Sequence, residues 1–366
     1  MDHRAGRSRM MYVITALHGG GAERLLRNIL VKQSPNQDIS VVSLLPGGVF
    51  RSAIEKIGVA VTDLAVRRYR HACRAVFVLA ARIRTEKPQV VCGWMYHGNL
   101  LASVAVFLSG RWRTKLFWGI FCSDIPHEEL TVPRRLVRFL NAMLSRWTDG
   151  IIYNAEAARD FHRSMGFTEP QAVIISNCSD PDEFRHDPQH RVEVRRELGI
   201  DDDAVVIAVV ARVDAMKDWT TVREAVRGLG VVTIGVGKGT EQLPPQAGFI
   251  ALGWRDDMPR ILSAVDIFLL GSAFGEGTSL ALTEAMLCGL PCVVTSVGDN
   301  HVVAGNAGVV VEPRNPFAIR EAVLQLAHDR ERRARLGRAA RERAEAVLPH
   351  ESVQIIANLG LSRNAS

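Results

Sequence analysis

The chain has 366 residues, a length that fits two domains of ordinary size. Apolar residues make up 47% and charged residues 23%, which excludes collagen-like, low-complexity and wholly disordered chains. The formal net charge of +6 conceals a division along the chain: residues 1–165 carry 24 Lys/Arg against 12 Asp/Glu, whereas residues 166–366 carry 21 against 27. The opposite signs of the two halves indicate two domains with different partners.

Cysteine usage and hydropathy limit the kinds of site and the cellular location that the sequence allows. The six cysteines form no C-x-x-C pair, so the sequence predicts neither a disulfide framework nor a metal site and favours a cytoplasmic location. The longest apolar run, 100–108, is far shorter than the ~20 residues that span a bilayer. The basic stretch 1–9 leads directly into a folded pattern, and we expect a flexible tail there.

Short apolar runs alternate with helical patterns in the first half. The predicted strands cover 11–16, 39–45, 90–93, 115–120 and 150–154. The predicted helices start at Ala22 and cover 52–57, 72–84, 100–108 and 134–147, and a last one ends at Met165. Such alternation indicates a parallel sheet covered by helices on both faces.

The pattern then restarts. After a strand at 172–176 and a stretch rich in Pro, Asp and His, further strands are predicted at 203–211, 231–237, 249–254, 267–271, 292–296 and 308–312. The sequence therefore predicts an α/β protein of two doubly wound domains. We place the first domain at 1–170, the second at 171–348 and a C-terminal helix at 349–366.

Two glycine turns between a strand and a helix are candidate phosphate sites, because free N–H groups and the helix dipole favour an anion there. In the first, Gly20 and Gly21 precede the Ala22 helix. In the second, Gly277, Thr278, Ser279 and Leu280 lead into a helix. A plain tight turn is the alternative at each. The run 235–239 (GVGKG) lacks the third glycine of a dinucleotide fingerprint, and we interpret it as a turn.

Two glutamates accompany the second turn. Glu276 lies in the loop, where capping of the helix is the simplest interpretation. Glu284 lies eight positions on, among Ala281, Leu282 and Ala285. A solvated helix residue is the simplest interpretation, but a carboxylate in so apolar a helix needs polar partners, and sugar hydroxyls are one candidate.

These residues resemble a known family. The run GEGTSLALTEAMLCGLPCVVTSVGD resembles the E-x7-E motif of family 4 retaining glycosyltransferases. HGGGAERLL resembles their N-terminal glycine loop, ARVDAMKDW their R-x4-K segment, and LGWRDDMPRILSAVDIFLL the segment in between. The ordered set extends over about residues 10–350, and it is more specific than any single motif.

The resemblance implies a GT-B fold, in which two Rossmann-like domains face a central cleft. It implies that the second domain binds a nucleotide-sugar, a UDP-sugar in preference to a GDP-sugar, and that no metal is needed. It also implies that the first domain presents the acceptor and that the last helix crosses back to the first domain.

The resemblance also assigns roles to residues. Arg212 and Lys217 would hold the donor diphosphate together with the two glycine turns. Glu276 would contact the transferred sugar and Glu284 the ribose. Trp254 and Arg255 would lie near the base or the acceptor.

The first domain holds three further candidates. Relatives often have Arg-His after W-G-I, and Cys122 takes the histidine's place here. His97 follows a strand, where open α/β sheets bind ligands, and we expect it to contact the sugar or the acceptor; a structural histidine is the alternative. We therefore count Glu276, His97 and Cys122 as candidate catalytic residues. Asp124 is a candidate acceptor contact, or else a turn residue.

The basic first half predicts an anionic partner. Its segment 134–147 reads as a basic amphipathic helix, which suits an anionic membrane surface, although an ordinary surface helix with its apolar face in the core is the alternative. A lipid-linked or oligosaccharide acceptor at the inner face of the plasma membrane would fit. No motif supports nucleic-acid binding.

We therefore predict a retaining glycosyltransferase for a lipid-linked or polysaccharide acceptor, a hexosyltransferase of polysaccharide biosynthesis. Two alternatives remain: an epimerase or hydrolase of nucleotide-sugars on the same fold, and a glycosyltransferase-like binding protein with impaired catalysis. An NAD-dependent oxidoreductase would need a complete G-x-G-x-x-G with a downstream acidic residue, which neither half shows convincingly.

Overall fold

The computed structural model describes residues 9–34, 37–68, 70–175, 179–347, 355–356 and 359. The chain divides into two compact units: unit 1 comprises Met1–Cys178 and Pro349–Ser366, and unit 2 comprises Ser179–Leu348. Most of the predicted tail and of the predicted C-terminal helix lies outside the described residues. Ile356, which is described, is fully buried in the apolar core of unit 1.

Unit 1 contains a parallel sheet of seven strands in the order β3-β2-β1-β4-β5-β6-β7. The strands are β1 (Arg9–Ile14), β2 (Asp38–Ser43), β3 (Ala60–Asp63), β4 (Val90–Trp94), β5 (Lys115–Ile120), β6 (Gly150–Tyr153) and β7 (Ala172–Ile174). The helices are α1 (Gly21–Gln33), α2 (Val49–Lys56), α3 (Arg70–Glu86), α4 (Met95–Ser109), α5 (Val132–Leu144) and α6 (Glu156–Ser164).

Unit 2 contains a parallel sheet of six strands in the order β10-β9-β8-β11-β12-β13. The strands are β8 (Val206–Val210), β9 (Val232–Val236), β10 (Phe249–Gly253), β11 (Ile267–Leu270), β12 (Cys292–Thr295) and β13 (Gly308–Val311). The helices are α7 (Pro188–Leu198), α8 (Trp219–Val226), α9 (Met258–Ser263), α10 (Leu280–Leu287), α11 (Asn300–Ala304), α12 (Pro316–His328) and α13 (Arg330–Val347).

The side chains of each central strand alternate between two apolar clusters, one on each face of the sheet. Tyr12 and Ile14 of β1 lie in one apolar cluster of unit 1, and Met11 and Val13 lie in the other. The same alternation divides β8 between two clusters of unit 2. Because successive side chains of a strand point to opposite faces, both faces of each sheet are buried. The predicted α/β class with two doubly wound units is confirmed.

Two elements of the structure differ from the prediction. The edge strand β3 was not predicted, because its four residues are only partly buried and carry no apolar run. Helix α4 begins at Met95, five residues before the predicted start, directly after β4. Gly98 permits this close packing, since a Cβ there would lie 2.3 Å from the carbonyl oxygen of Val13.

Candidate functional site

Each sheet has one point where its connections diverge to either side. In unit 2 this switch point lies between β8 and β11, and in unit 1 it lies between β1 and β4. Loops at the carboxyl ends of two such strands leave a crevice, which is where open α/β sheets bind ligands. The residues predicted for the donor diphosphate and the sugar follow these four strands.

The loop after β8 carries two cations in a fixed arrangement. The Asp214 side chain accepts the backbone N–H of Lys217 at 3.1 Å and thereby caps a short 3-10 turn, Ala215–Lys217. The same carboxylate pairs with the guanidinium of Arg212. Trp219 Nε1 donates to the carbonyl oxygen of Arg212 at 3.0 Å. Asp214 therefore ties the two predicted diphosphate-binding residues to one turn, a role that the sequence analysis did not find.

The loop after β11 brings Glu276 to the same edge. Glu276 is 7% exposed, and its Oε1 accepts the hydroxyl of Ser272 at 2.6 Å. The ammonium of Lys217 pairs with the same carboxylate. Thr295 Oγ1 donates to the carbonyl oxygen of Ser272 at 2.7 Å and fixes the residue that orients Glu276. A charge-assisted pair and a hydroxyl donor hold the carboxylate in one orientation.

The turn at 298–300 packs against the loop that carries Glu276. Gly298 has φ of 57°, and a Cβ there would lie 2.2 Å from the carbonyl oxygen of Glu276. The N–H of Asp299 donates to the carbonyl oxygen of Gly277 at 2.9 Å. The N–H of Ser279 donates to Asn300 Oδ1 at 2.8 Å. One of the backbone donors that the sequence analysis assigned to a diphosphate is therefore engaged within the protein.

The remaining residues of the turn and of the following helix are largely buried. Thr278 is half-buried, and Leu280 begins α10. Glu284 lies in α10 and is 1% exposed. Burial, together with the nearby Glu284 carboxylate, raises the pKa of the Cys288 thiol to about 12. The structure thus places Glu284 in the interior of unit 2, on the helix that follows the turn.

Strands β9 and β10 carry their own residues to this edge. Trp254 follows β10 and is 37% exposed, two strands and so about 10 Å away from β8. Arg255 donates to both oxygens of Asp257 at 2.8 and 2.7 Å, and this pairing raises its pKa. Lys238, which the sequence analysis took for part of a plain turn, is exposed after β9, and its carbonyl oxygen accepts the N–H of Val213 at 2.9 Å.

In unit 1 the glycine turn and His97 lie at one switch point. Gly20 caps α1 after β1, and Gly21 opens the helix. His97 lies in the first turn of α4, after β4, rather than in the predicted loop. Partial burial, and next the nearby Arg134 guanidinium, lower the pKa of His97. The lowered pKa favours the neutral imidazole, which suits a hydrogen-bonding contact.

Cys122 lies in a buried chain of polar groups. Its Sγ lies 3.8 Å from the hydroxyl of Tyr96, and that hydroxyl lies 2.6 Å from His162 Nε2. His162 Nδ1 lies 2.6 Å from the carbonyl oxygen of Ala158, which only accepts, so we assign the proton to Nδ1. The thiol then donates to Tyr96, and Tyr96 donates to Nε2. Burial raises the pKa of Cys122 to about 11, so the thiol stays protonated at neutral pH.

Three further expectations concern the loop after β5, metal ligands and membrane-spanning helices. Asp124 is exposed in the loop after β5 and accepts the hydroxyl of Ser123 at 3.0 Å. In the described part of the chain, no group of three or more His, Cys, Asp or Glu could hold a metal ion. None of the described helices is both long and apolar enough to cross a membrane.

Comparison with family models identifies both units. Residues 205–329 match the model described as "Glycosyl transferases group 1", and residues 20–178 match the "Glycosyl transferase 4-like domain". The two matches cover most of the chain, one in each unit. The chain belongs to the family 4-type glycosyltransferases, as the ordered motifs indicate.

Individual relatives match over shorter stretches. A galactosyltransferase of Escherichia coli, named for UDP-Gal and α-D-GlcNAc-diphosphoundecaprenol, is 36% identical over 83 residues, 22% of this chain and 21% of the relative. A D-inositol 3-phosphate glycosyltransferase of Saccharomonospora viridis is 28% identical over 232 residues, 54% of this chain and 52% of the relative. The matches thus span about half of the relatives' lengths at most.

Solved structures agree over nearly the whole chain. HepE of Anabaena in complex with UDP-glucose superposes with a TM-score of 0.84 at 18% identity and covers 95% of this chain and 98% of its own. WaaG, a glycosyltransferase involved in lipopolysaccharide biosynthesis, superposes with a TM-score of 0.74 at 16% identity and covers 97% and 100%. At these identities the likeness shows the fold, which is of GT-B type.

Proposed function

We propose that the protein is a retaining glycosyltransferase that moves a sugar from a nucleoside diphosphate sugar to a lipid-linked or polysaccharide acceptor. The observation that carries the proposal is the cluster of Arg212, Lys217 and Glu276 at the switch point of unit 2. Two cations next to an oriented carboxylate suit a ligand that has a diphosphate at one end and hydroxyls at the other. Family membership and the names of the relatives support the same class.

The chemistry follows from these side chains. During transfer the bond between the anomeric carbon and the diphosphate oxygen breaks, and negative charge grows on the leaving diphosphate. Arg212 and Lys217 stabilise that charge from fixed positions, which is most effective where water is excluded. The acceptor oxygen bonds to the anomeric carbon on the face that the diphosphate leaves, and its proton passes to the departing phosphate oxygen. No metal ion enters this scheme.

Glu276 binds hydroxyls of the transferred sugar, and Glu284 binds those of the ribose. Trp254 and Arg255 lie toward the base. His97, neutral and half-buried, donates or accepts a hydrogen bond at the acceptor end. The buried thiol of Cys122 supports Tyr96 rather than acting as a base, because it is protonated at neutral pH. The donor is a UDP-sugar, as in the names of the Escherichia coli galactosyltransferase and the HepE complex.

A nucleotide screen tests the donor. We expect UDP to raise the melting temperature of the full chain more than GDP or ADP does, and Arg212→Gln to abolish that shift. Arg338→Gln removes one charge from the exposed face of α13 and serves as the matched control. The proposal fails if none of the three nucleotides shifts the wild-type protein.

A second experiment separates the alternative activities. The protein is incubated with UDP-sugars, with and without a polyprenyl diphosphate sugar acceptor, and the products are followed by mass spectrometry and by NMR, which distinguishes epimers and anomeric linkages. A retaining transferase yields an α-linked product from an α-linked donor only when acceptor is present. An epimerase or hydrolase consumes donor without acceptor. A binding protein shifts in melting temperature with nucleotide but consumes nothing.

We also place the protein in the cytoplasm, with unit 1 at the inner face of the plasma membrane. The net charge of +12 over residues 1–165 supports this location, since the cytoplasmic leaflet is anionic. Cell fractionation of the tagged full chain tests it, and recovery in the soluble fraction alone at low salt would contradict it.

A further inference from the structure

Helix α5 carries an apolar stripe on its outer side. At 100° per residue, Val132, Leu136, Phe139 and Met143 fall within a sector of about 60°. These four side chains, with Trp147 in the 3-10 turn that follows, expose between 47% and 75% of their surface. The sequence leaves two interpretations open for this helix, an apolar side toward a membrane surface or an apolar side in the core, and in the structure these five side chains are exposed.

The opposite side of α5 makes the contacts with the fold. Val137 and Asn141 are buried there. Asn141 Nδ2 donates to the carbonyl oxygen of Tyr96 at 3.1 Å, which ties α5 to the start of α4. The helix is therefore anchored by its polar and smaller apolar residues while its larger apolar residues face solvent. Exposed apolar patches of this kind mark interaction surfaces.

The charge around the stripe indicates which kind of partner it binds. Residues 132–147 contain four arginines and no Asp or Glu. At 100° per residue, Arg135 and Arg146 flank the stripe on one side, whereas Arg134 lies on the side of Val137 and Asn141. Arg135 and Arg138 donate to the carbonyl oxygens of Leu130 and Ile125 at 2.9 and 3.1 Å, and these hydrogen bonds fix both guanidinium groups beside α5. Such a surface complements an anionic one.

We propose that the α5 stripe docks the protein on an anionic lipid bilayer. The apolar side chains enter the boundary between headgroups and acyl chains, Trp147 lies at the headgroup level, and Arg135 and Arg146 contact lipid phosphates. A second copy of this chain fits less well, because a symmetric contact through α5 would oppose arginines to arginines without any acidic residue of the segment.

The inference rests on the proposed function in one respect, since a lipid-linked acceptor is met at such a surface. The geometry is consistent with this. Arg134, in the first turn of α5, lies close enough to His97 to affect its pKa, so the docking helix begins beside the candidate acceptor contact.

Co-sedimentation with vesicles tests the docking surface. The full chain is mixed with vesicles of phosphatidylglycerol and phosphatidylcholine in a 1:1 ratio, or of phosphatidylcholine alone. We expect binding to the anionic vesicles that weakens as salt rises. Leu136→Ser with Phe139→Ser should lower the partition coefficient at least tenfold, and Arg135→Gln with Arg146→Gln should lower both the coefficient and its salt dependence.

Three controls keep the outcomes distinct. Phe317→Ser alters a still more exposed aromatic residue, in unit 2, and should leave vesicle binding unchanged. Retention of the UDP-induced melting shift shows that a variant is folded. Vesicle binding without any nucleotide shift would overturn the proposed function and leave the docking surface intact.

Three results would overturn the docking surface. The first is wild-type protein that does not bind anionic vesicles. The second is vesicle binding by the Leu136/Phe139 variant that equals that of wild type. A loss of binding in Trp112→Ser would then show that the contact lies elsewhere in unit 1. The third is a vesicle-free dimer that the Leu136/Phe139 change turns into a monomer, measured by sedimentation equilibrium, since the stripe would then be occupied by a second copy.

Discussion

Lys217 donates to the carboxylate of Glu276 in an ion pair whose two side chains are 13% and 8% exposed. The pair joins the loop after β8 to the loop after β11 and so couples the proposed diphosphate and sugar contacts. Removing one partner of a nearly buried pair leaves the other charge without compensation, which costs more than removing both. The pair can therefore be measured as a unit.

We expect Lys217→Met and Glu276→Gln each to lower the free energy of unfolding by about 2–4 kcal/mol, and the double variant to lose less than the sum. The coupling in the cycle should be about 1–3 kcal/mol. Urea unfolding of the nucleotide-free chain measures it.

The exposed pair of Arg9 and Asp38, whose side chains are 56% and 42% exposed, provides the comparison. Its cycle, Arg9→Met with Asp38→Asn, should give less than about 1 kcal/mol, as exposed pairs do. A Lys217–Glu276 coupling no larger than that value would contradict the interpretation.

Ser272 positions the Glu276 carboxylate. Its hydroxyl donates to Oε1 at 2.6 Å from a fully buried position. We expect Ser272→Ala to lower kcat about tenfold with little change in the affinity for UDP, because it frees the carboxylate to turn without touching the cations. Steady-state assays and UDP titration separate the two effects.

Ser263→Ala is the matched control for that change. Ser263 is equally buried in unit 2, but its hydroxyl donates to the carbonyl oxygen of Pro259. It should reproduce any loss of stability without the loss of kcat. Equal falls in kcat for both variants would mean that Ser272 has only a structural role.

Thiol reactivity should follow burial. Burial raises the pKa of Cys122 to about 11, whereas Cys73 is exposed. Because the thiolate is the reactive form, iodoacetamide at pH 7.5 should label Cys73 within minutes and leave Cys122 unlabelled until the protein is denatured. Peptide mass spectrometry reads both sites in one sample. Rapid native labelling of Cys122 would show that the Cys122–Tyr96–His162 chain opens in solution.

The sequence predicts the frame of the site better than its details. Strands β1 and β8 read as buried because nearly every residue in them is apolar, and the ordered motifs place Arg212, Lys217 and Glu276 at strand ends. Motif spacing carries such information because strand-end loops converge at one sheet edge.

Contacts made across the fold are beyond a single sequence. The spacing of residues in the sequence does not show that Ser272 donates to Glu276, or that Asn300 accepts the N–H of Ser279. The early start of α4 also depends on tertiary packing, namely on Gly98 lying against β1. The amphipathic pattern of α5 identifies an apolar side but cannot say which side the core takes.

His162 makes unit 1 sensitive to acid. Burial lowers the pKa of His162 from 6.5 to about 4, so the folded chain binds fewer protons than the unfolded chain between these values. Stability is therefore highest above pH 6.5 and falls as pH drops toward 4, by about 1–3 kcal/mol from this group. His162→Gln can still accept from Tyr96 and donate to Ala158 but does not titrate. We expect unfolding in urea at pH 7 and pH 4.5 to show a smaller loss for this variant than for wild type. An equal loss in both proteins would place the acid sensitivity in other groups.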